Sequence, residues 1–167
     1  MNAMVDVRVL KCGFTLIELL VTMSIIVIVV LIGVPSYTSF ITSNRVSAEA
    51  NALMGDLQFA RASAIKQGNS VTLCPANAGA TACSPSTTWT GGWITIDSTP
   101  NVLRKQASII STDTLIGSAG LTSVTFNKLG FASTTGSVTV TPTNGSALKI
   151  CIYTIGQVKV IAGGAAC

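Results

Sequence analysis

From Leu19 to Val34 the chain carries no charged residue, and only Thr22, Ser24 and Gly33 interrupt the run of aliphatic side chains and methionine. Counted from Phe14, the segment is about 21 residues, or ~32 Å as an α-helix at ~1.5 Å per residue. That is enough to cross a hydrocarbon core of about 30 Å. One carboxylate, Glu18, stands at its N-terminal end. A charge at the mouth of a membrane helix is costly, so its presence points to a partner group that neutralises it.

An ordinary secretory signal is a poor fit to this segment. Such signals carry an apolar stretch of about 7–15 residues followed by small residues at the cut. Here Ile32-Gly33-Val34-Pro35 offers no A-x-A pattern, and helical sequence continues past it. Arg8 and Lys11 precede the span. By the positive-inside tendency they hold the leader in the cytoplasm and send the C-terminal part outward.

Helical periodicity resumes after Pro35. Val46, Ala50, Leu53, Leu57, Ala60 and Ala64 recur at steps of four and three, an apolar stripe on one face. Arg45, Glu49, Asp56, Arg61 and Lys66 fall mostly off it, and Gly68 supplies a stop. The pattern predicts one helix from about Thr15 to Gln67, apolar in its first half and amphipathic in its second. Gly33 and Pro35 are expected to weaken or bend its middle.

Beyond Gly68 short β-type runs alternate with turn residues. Candidate strands are Ser70–Cys74, Trp93–Asp97, Val102–Gln106, Ser123–Phe126, Ser137–Thr141, Ala147–Thr154 and Gln157–Ile161. Asp97–Asn101 reads as a hairpin loop and Pro75–Thr90 as a surface loop, whereas Ala107–Gly120 reads as irregular. These strands have no strongly apolar face to spare, so they are expected to pack on the Val46–Ala64 stripe. The fold class is α+β: a long N-terminal helix against a C-terminal antiparallel β-sheet head.

Cys12 lies in the leader, and Cys74, Cys83, Cys151 and Cys167 lie in the exported part. Four cysteines in an oxidising compartment permit three pairings. Proximity along the chain favours Cys74–Cys83 and Cys151–Cys167, each stabilising by ~3 kcal/mol on the chain-entropy model. The chain has no histidine and no paired C-x-x-C, so no metal site is expected. It also lacks a histidine base, a G-x-S-x-G, a P-loop and a clustered acid pair. No catalytic residue, cofactor or small-molecule substrate is expected, and the chain does not read as an enzyme.

The N-terminal motif Lys11-Cys12-Gly13-Phe14-Thr15-Leu16-Ile17-Glu18-Leu19-Leu20 resembles the class III signal of type IV pilins and type II secretion pseudopilins. The resemblance implies that a prepilin peptidase cuts between Gly13 and Phe14 and methylates the new N-terminus at Phe14. Glu18 then becomes the fifth residue, the family's characteristic carboxylate, and Pro35 matches a frequent pilin proline; both are implied to serve assembly. The implied regions are a cleaved leader over 1–13, a transmembrane and assembly helix over 14–35, its amphipathic continuation over 36–68 and a β-rich soluble head over 69–167. The implied location is the inner membrane as a single-pass protein with a periplasmic head, and then a pilus or pseudopilus at the cell surface.

Within that superfamily the soluble part is similar to the GspH/FimT group of minor pilins and pseudopilins. The likeness rests on Asp56–Gly68 followed by Val71–Cys74, on Trp89–Asp97, which resembles a G-W-x-x-F-x-D segment, and on Val124–Gly130, which resembles an F-x-x-x-G turn. It implies a minor structural subunit of a type IV pilus that initiates or caps the fibre. Its implied partners are other pilins or pseudopilins, the prepilin peptidase, the inner membrane and the assembly platform. One alternative is a GspH-like pseudopilin of a type II secretion system. The other is a FimT-like DNA-binding pilin for natural transformation, a group that resembles itself in a C-terminal G-R-x-R. Here the matching position reads Gly156-Gln157-Val158-Lys159, one charge short, which weakens any phosphate contact. Lys128, Lys149, Gln157 and Lys159 are the candidate DNA-facing residues.

Overall fold

The computed structural model describes residues 13–109 and 112–167; the leader through Cys12 lies outside them. The chain divides into two compact units after Thr38. The first consists of the N-terminal part of α1 (Leu16–Gln67), with Thr15 at its start. Every described residue of this unit is exposed, and Pro35 sits inside the helix without ending it. The single helix predicted from about Thr15 to Gln67 is therefore observed, and within it the proline deprives the Leu31 carbonyl of a backbone donor.

The second unit holds the rest of α1 and eight strands: β1 (Val71–Pro75), β2 (Trp93–Asp97), β3 (Val102–Gln106), β4 (Thr114–Gly117), β5 (Val124–Phe126), β6 (Gly136–Thr141), β7 (Leu148–Ile152) and β8 (Val158–Ala162). They form two four-stranded sheets, ordered β3-β2-β1-β5 and β4-β6-β7-β8, and every strand pairing is antiparallel. The helix ends at Gln67, ahead of Gly68.

The stripe does what its spacing predicts. Val46, Ala50, Leu53, Leu57, Ala60 and Ala64 are all buried, in one cluster with Val71, Leu73 and Phe126 of the first sheet and Val138, Val140 and Ile150 of the second. Each fully buried Val or Leu contributes ~1.5–3 kcal/mol. The three alanines in the stripe add little area themselves. Their small size lets the sheets approach the helix backbone.

Three expectations need correction. Thr114–Gly117 is a strand, although it lies in the stretch read as irregular. It alternates exposed and buried residues over only four positions, too few to stand out from the polar sequence around it. The Pro75–Thr90 stretch is not wholly surface: Pro75 closes β1 and Trp89 is fully buried. Asp56, grouped with the charges that fall mostly off the stripe, is buried on the helix.

Asp56 is buried because it has partners. Its Oδ2 accepts the Trp93 indole N–H at 2.8 Å, and its Oδ1 pairs with Arg104 Nη1 at 2.8 Å. Arg104 in turn lies 4.0 Å from the centre of the Phe59 ring. One carboxylate thus ties α1 to β2 and β3. Asp56→Ala is expected to destabilise the head by ~1–3 kcal/mol, because the buried indole donor loses its acceptor. Asp56→Asn, which keeps an acceptor oxygen, should cost less; thermal unfolding of the two variants checks the order, and equal losses would argue against the indole bond.

Candidate functional site

In the first unit the functional candidates cluster at the start of the helix. The Glu18 amide donates to Thr15 Oγ1 at 3.2 Å, and the Leu19 amide donates to the Thr15 carbonyl at 3.2 Å. Thr15 is thus an N-cap and Glu18 occupies the third helical position, which gives the threonine half of a capping box. The T-x-x-E spacing of Thr15 and Glu18 is the sequence signal for this cap. A carboxylate here also faces the positive end of the helix dipole. Gly13 and Phe14 precede the helix, and Phe14 is 83% exposed. Downstream, the large aliphatic residues from Leu16 to Val34 are exposed as well, each forgoing ~1.5–3 kcal/mol of burial. Such a surface requires lipid or other apolar helices around it.

In the second unit α1 is anchored at two further points. Arg45 grips buried Asp113 through Nε and Nη2, both at 2.7 Å. That hydrogen-bonded carboxylate, together with its charge, raises the Arg45 pKa. Near the end of the helix, Arg61 Nε donates to the Gly130 carbonyl at 3.0 Å and Nη2 to the Ile155 carbonyl at 3.3 Å. Gly130 and Gly156 both have positive φ. A Cβ on Gly156 would strike the Gly130 carbonyl oxygen, and one on Gly130 would meet Ile65 Cδ1 at 2.8 Å. Only glycine lets these two turns close on the guanidinium.

The four candidate DNA residues do not form one cluster. Lys128 lies on the turn before Gly130, and Gln157 follows Gly156, so the Arg61 contacts bring their two turns together. Lys149 pairs with Ile161 and Lys159 with Cys151 across β7 and β8. This alternation places both lysines on the face of the second sheet away from the core. Lys149 Nζ already donates to the Ala165 carbonyl at 2.7 Å. The same face carries Cys151, bonded to Cys167 with a Cα separation of 5.6 Å. Cys74 is bonded to Cys83 at 5.5 Å.

The Asp97–Asn101 turn is organised by its first residue. Asp97 Oδ1 accepts the Thr99 amide at 2.9 Å, the Thr99 hydroxyl at 2.8 Å and the Asn101 amide at 3.0 Å. The Asn101 amide, followed by the Thr99 hydroxyl, holds the Asp97 carboxyl below its ordinary pKa.

Comparison with known proteins agrees with this architecture. Residues 49–156 match the family model described as type II transport protein GspH. Residues 9–34 match the prokaryotic N-terminal methylation motif. Two crystal forms of the type IV minor pilin FimU of Pseudomonas aeruginosa strain PAO1 share the fold. In space group P21 the TM-score is 0.61 at 18% identity, covering 76% of this chain and 96% of FimU. In space group P65 it is 0.57 at 18% identity, covering 72% and 95%. No curated protein sequence matches the chain significantly.

The Asp97 turn has a pH signature with a definite sign. Its lowered pKa means the carboxylate favours the folded state above the unfolded pKa, and this contribution disappears as pH falls through the folded value. Asp97→Asn is expected to melt below wild type near neutral pH, with the gap closing as pH falls below the ordinary carboxylate range. A gap that is independent of pH over that window would show that the carboxylate charge is not what organises the turn.

Proposed function

The chain belongs to the GspH family of type II transport proteins, a family of structural pilin-type subunits rather than enzymes, and on that premise we propose that it is a minor pilin of a type IV pilus. A pilin-like subunit with an apolar N-terminal helix is anchored in a membrane and assembles with other pilins. In the proposed cycle the helix over 14–35 is stored in the inner membrane with the head in the periplasm. Prepilin peptidase removes residues 1–13, and the mature subunit is drawn into a fibre, which it initiates or caps.

The observation that carries this reading is the chemistry around Glu18. It is the one acidic residue in the described part of the first unit, and it is exposed at the start of a helix whose next fifteen or so positions have no charge. In the uncut chain the Phe14 nitrogen is an amide and offers no charge. Cleavage after Gly13 turns it into an ammonium group. A Phe14 ammonium on one subunit can then neutralise Glu18 on the next, and only one stagger of two helices brings them together. N-methylation of Phe14 leaves that charge in place.

A second reading, a pseudopilin of a type II secretion system, draws on the description of the matched family. Both readings share the cleavage and the helix packing. They differ in the apparatus that receives the subunit. Recovery of the native protein in surface pili, against its recovery with a secretion apparatus, separates them.

Mass spectrometry of the protein made beside its peptidase should find an N-terminus at Phe14 bearing one added methyl group. Persistence of residues 1–13 would overturn the proposal. An unneutralised carboxylate costs ~2.5–3.5 kcal/mol at a bilayer centre and less near its edge. Glu18→Ala leaves the Phe14 ammonium of the neighbouring subunit without its partner and should lower incorporation into filaments by roughly tenfold or more. Wild-type incorporation of that variant would refute the pairing.

A further inference from the structure

The two sheets of the second unit present four edges, and they are not treated alike. At β4 the loop between β1 and β2 pairs closely, through Thr88 opposite Ile116, the Trp89 amide on the Leu115 carbonyl and the Gly117 amide on the Thr87 carbonyl. At β5 the chain folds back, with Ala132 opposite Phe126 and the Ser133 amide on the Thr125 carbonyl. The β3 edge carries Arg104 and Lys105, has an irregular register against β2, and is tied to Asp56. Charge and irregularity of this kind discourage strand addition.

The β8 edge is open. The Tyr153 amide donates to the Gln157 carbonyl, and the Gly163 amide donates to the Ala147 carbonyl. These bonds set the phase of the β7–β8 ladder, in which residues 157, 159 and 161 turn their main-chain groups toward β7. The N–H and C=O groups of Val158 and Val160 therefore point away from the sheet. No hydrogen bond from another described segment reaches them.

Beside this edge runs a cleft of about 350 Å³ between the start of β8 and α1, lined by Gln58, Arg61, Ala62, Ile65 and Gly156–Val158. Ile65 is 51% exposed at its end, and Leu129, Phe131 and Ile155 are exposed on the two turns that meet at Arg61. An incoming strand would find main-chain partners on one side and apolar surface beneath. Its charge is specified as well. From Thr114 to Cys167 there is no Asp or Glu, whereas Lys128, Lys149 and Lys159 are present, and the helix from Leu57 to Gln67 adds Arg61 and Lys66 without an acid.

We infer that the β8 edge and its cleft receive an extended strand from a different subunit, with apolar and acidic side chains at alternate positions. The second sheet would gain a strand by main-chain pairing, and the alternation sends one set of side chains onto Ala62 and Ile65. A second copy of this chain is the poorer occupant, since its own segment from Thr114 onward brings lysines to lysines. The identification of the partner as a fibre subunit rests on the function proposed above; the chemistry of the strand does not.

The test uses the full-length chain in detergent micelles and a synthetic peptide of about six residues alternating glutamate and valine. Addition of the peptide should slow hydrogen exchange at the Val158 and Val160 amides by about tenfold or more. A lysine–valine peptide should protect them far less. Val160→Pro removes one outward donor without touching the β7 ladder, as proline at the solvent side of an edge strand allows, and it should abolish binding. Lys159→Glu, which leaves the backbone intact, should weaken the glutamate peptide and improve the lysine one. Absence of protection, equal binding of both peptides, or binding unaffected by Val160→Pro would each overturn the inference. Protection that rises with protein concentration and without peptide would instead assign the edge to self-association and overturn the acidic partner. Leader removal after Gly13, measured on the same preparations, reports on the pilin reading independently.

Discussion

The burial of one helical stripe organises the second unit. Val46, Ala50, Leu53, Leu57, Ala60 and Ala64 meet the inner faces of two sheets that have no strand in common. Neither sheet could bury its apolar face alone at four strands, and the helix has no other surface against which to place the stripe. Because three of the six positions are alanine, backbone and sheet come close, and the fit depends on shape as much as on area. Polar contacts then fix the angle and register of what hydrophobic burial brings together. They fall at Arg45, Asp56 and Arg61, one near each end of the packed segment and one toward its middle.

The same helix obeys two rules along its length. Up to Thr38 there is no sidedness, every described residue is exposed, and the side chains from Leu19 to Val34 are mostly aliphatic. Such a surface suits an apolar environment on all sides, as in a bilayer or among packed helices. From Val46 onward the fully buried apolar residues lie on one face, and polar residues take up much of the rest. A subunit that is first stored in lipid and later packed among relatives needs both kinds of surface. A carboxylate at the helix start, tolerable at a capped N-terminus and better with a cation beside it, adds direction to an otherwise uniform rod.

Much of the β head was legible because period-two runs were separated by unmistakable turns. Trp93–Asp97 and Val102–Gln106 are strands at the residues expected, and the hairpin between them is closed by Asp97 as its position suggested. β4 was hidden because four residues cannot display a period. Asp56 was misplaced for a different reason: periodicity sorts residues by polarity, and a carboxylate is buried only when distant donors meet it. Those donors, Trp93 and Arg104, lie some 37 and 48 positions away, beyond the reach of any local pattern.

The sequence by itself determined the helix, its change from uniform to one-sided, the strand alternation and the motif around Gly13, Phe14 and Glu18. All of these are encoded in neighbours within a turn or two, where spacing alone decides which face a residue takes. Only the tertiary structure decided that the strands divide into two sheets, that Arg61 closes two glycine turns, and that β8 keeps an unpaired edge beside a cleft. Strand order and edge exposure depend on which segments meet across the fold, and a one-dimensional pattern carries no record of that.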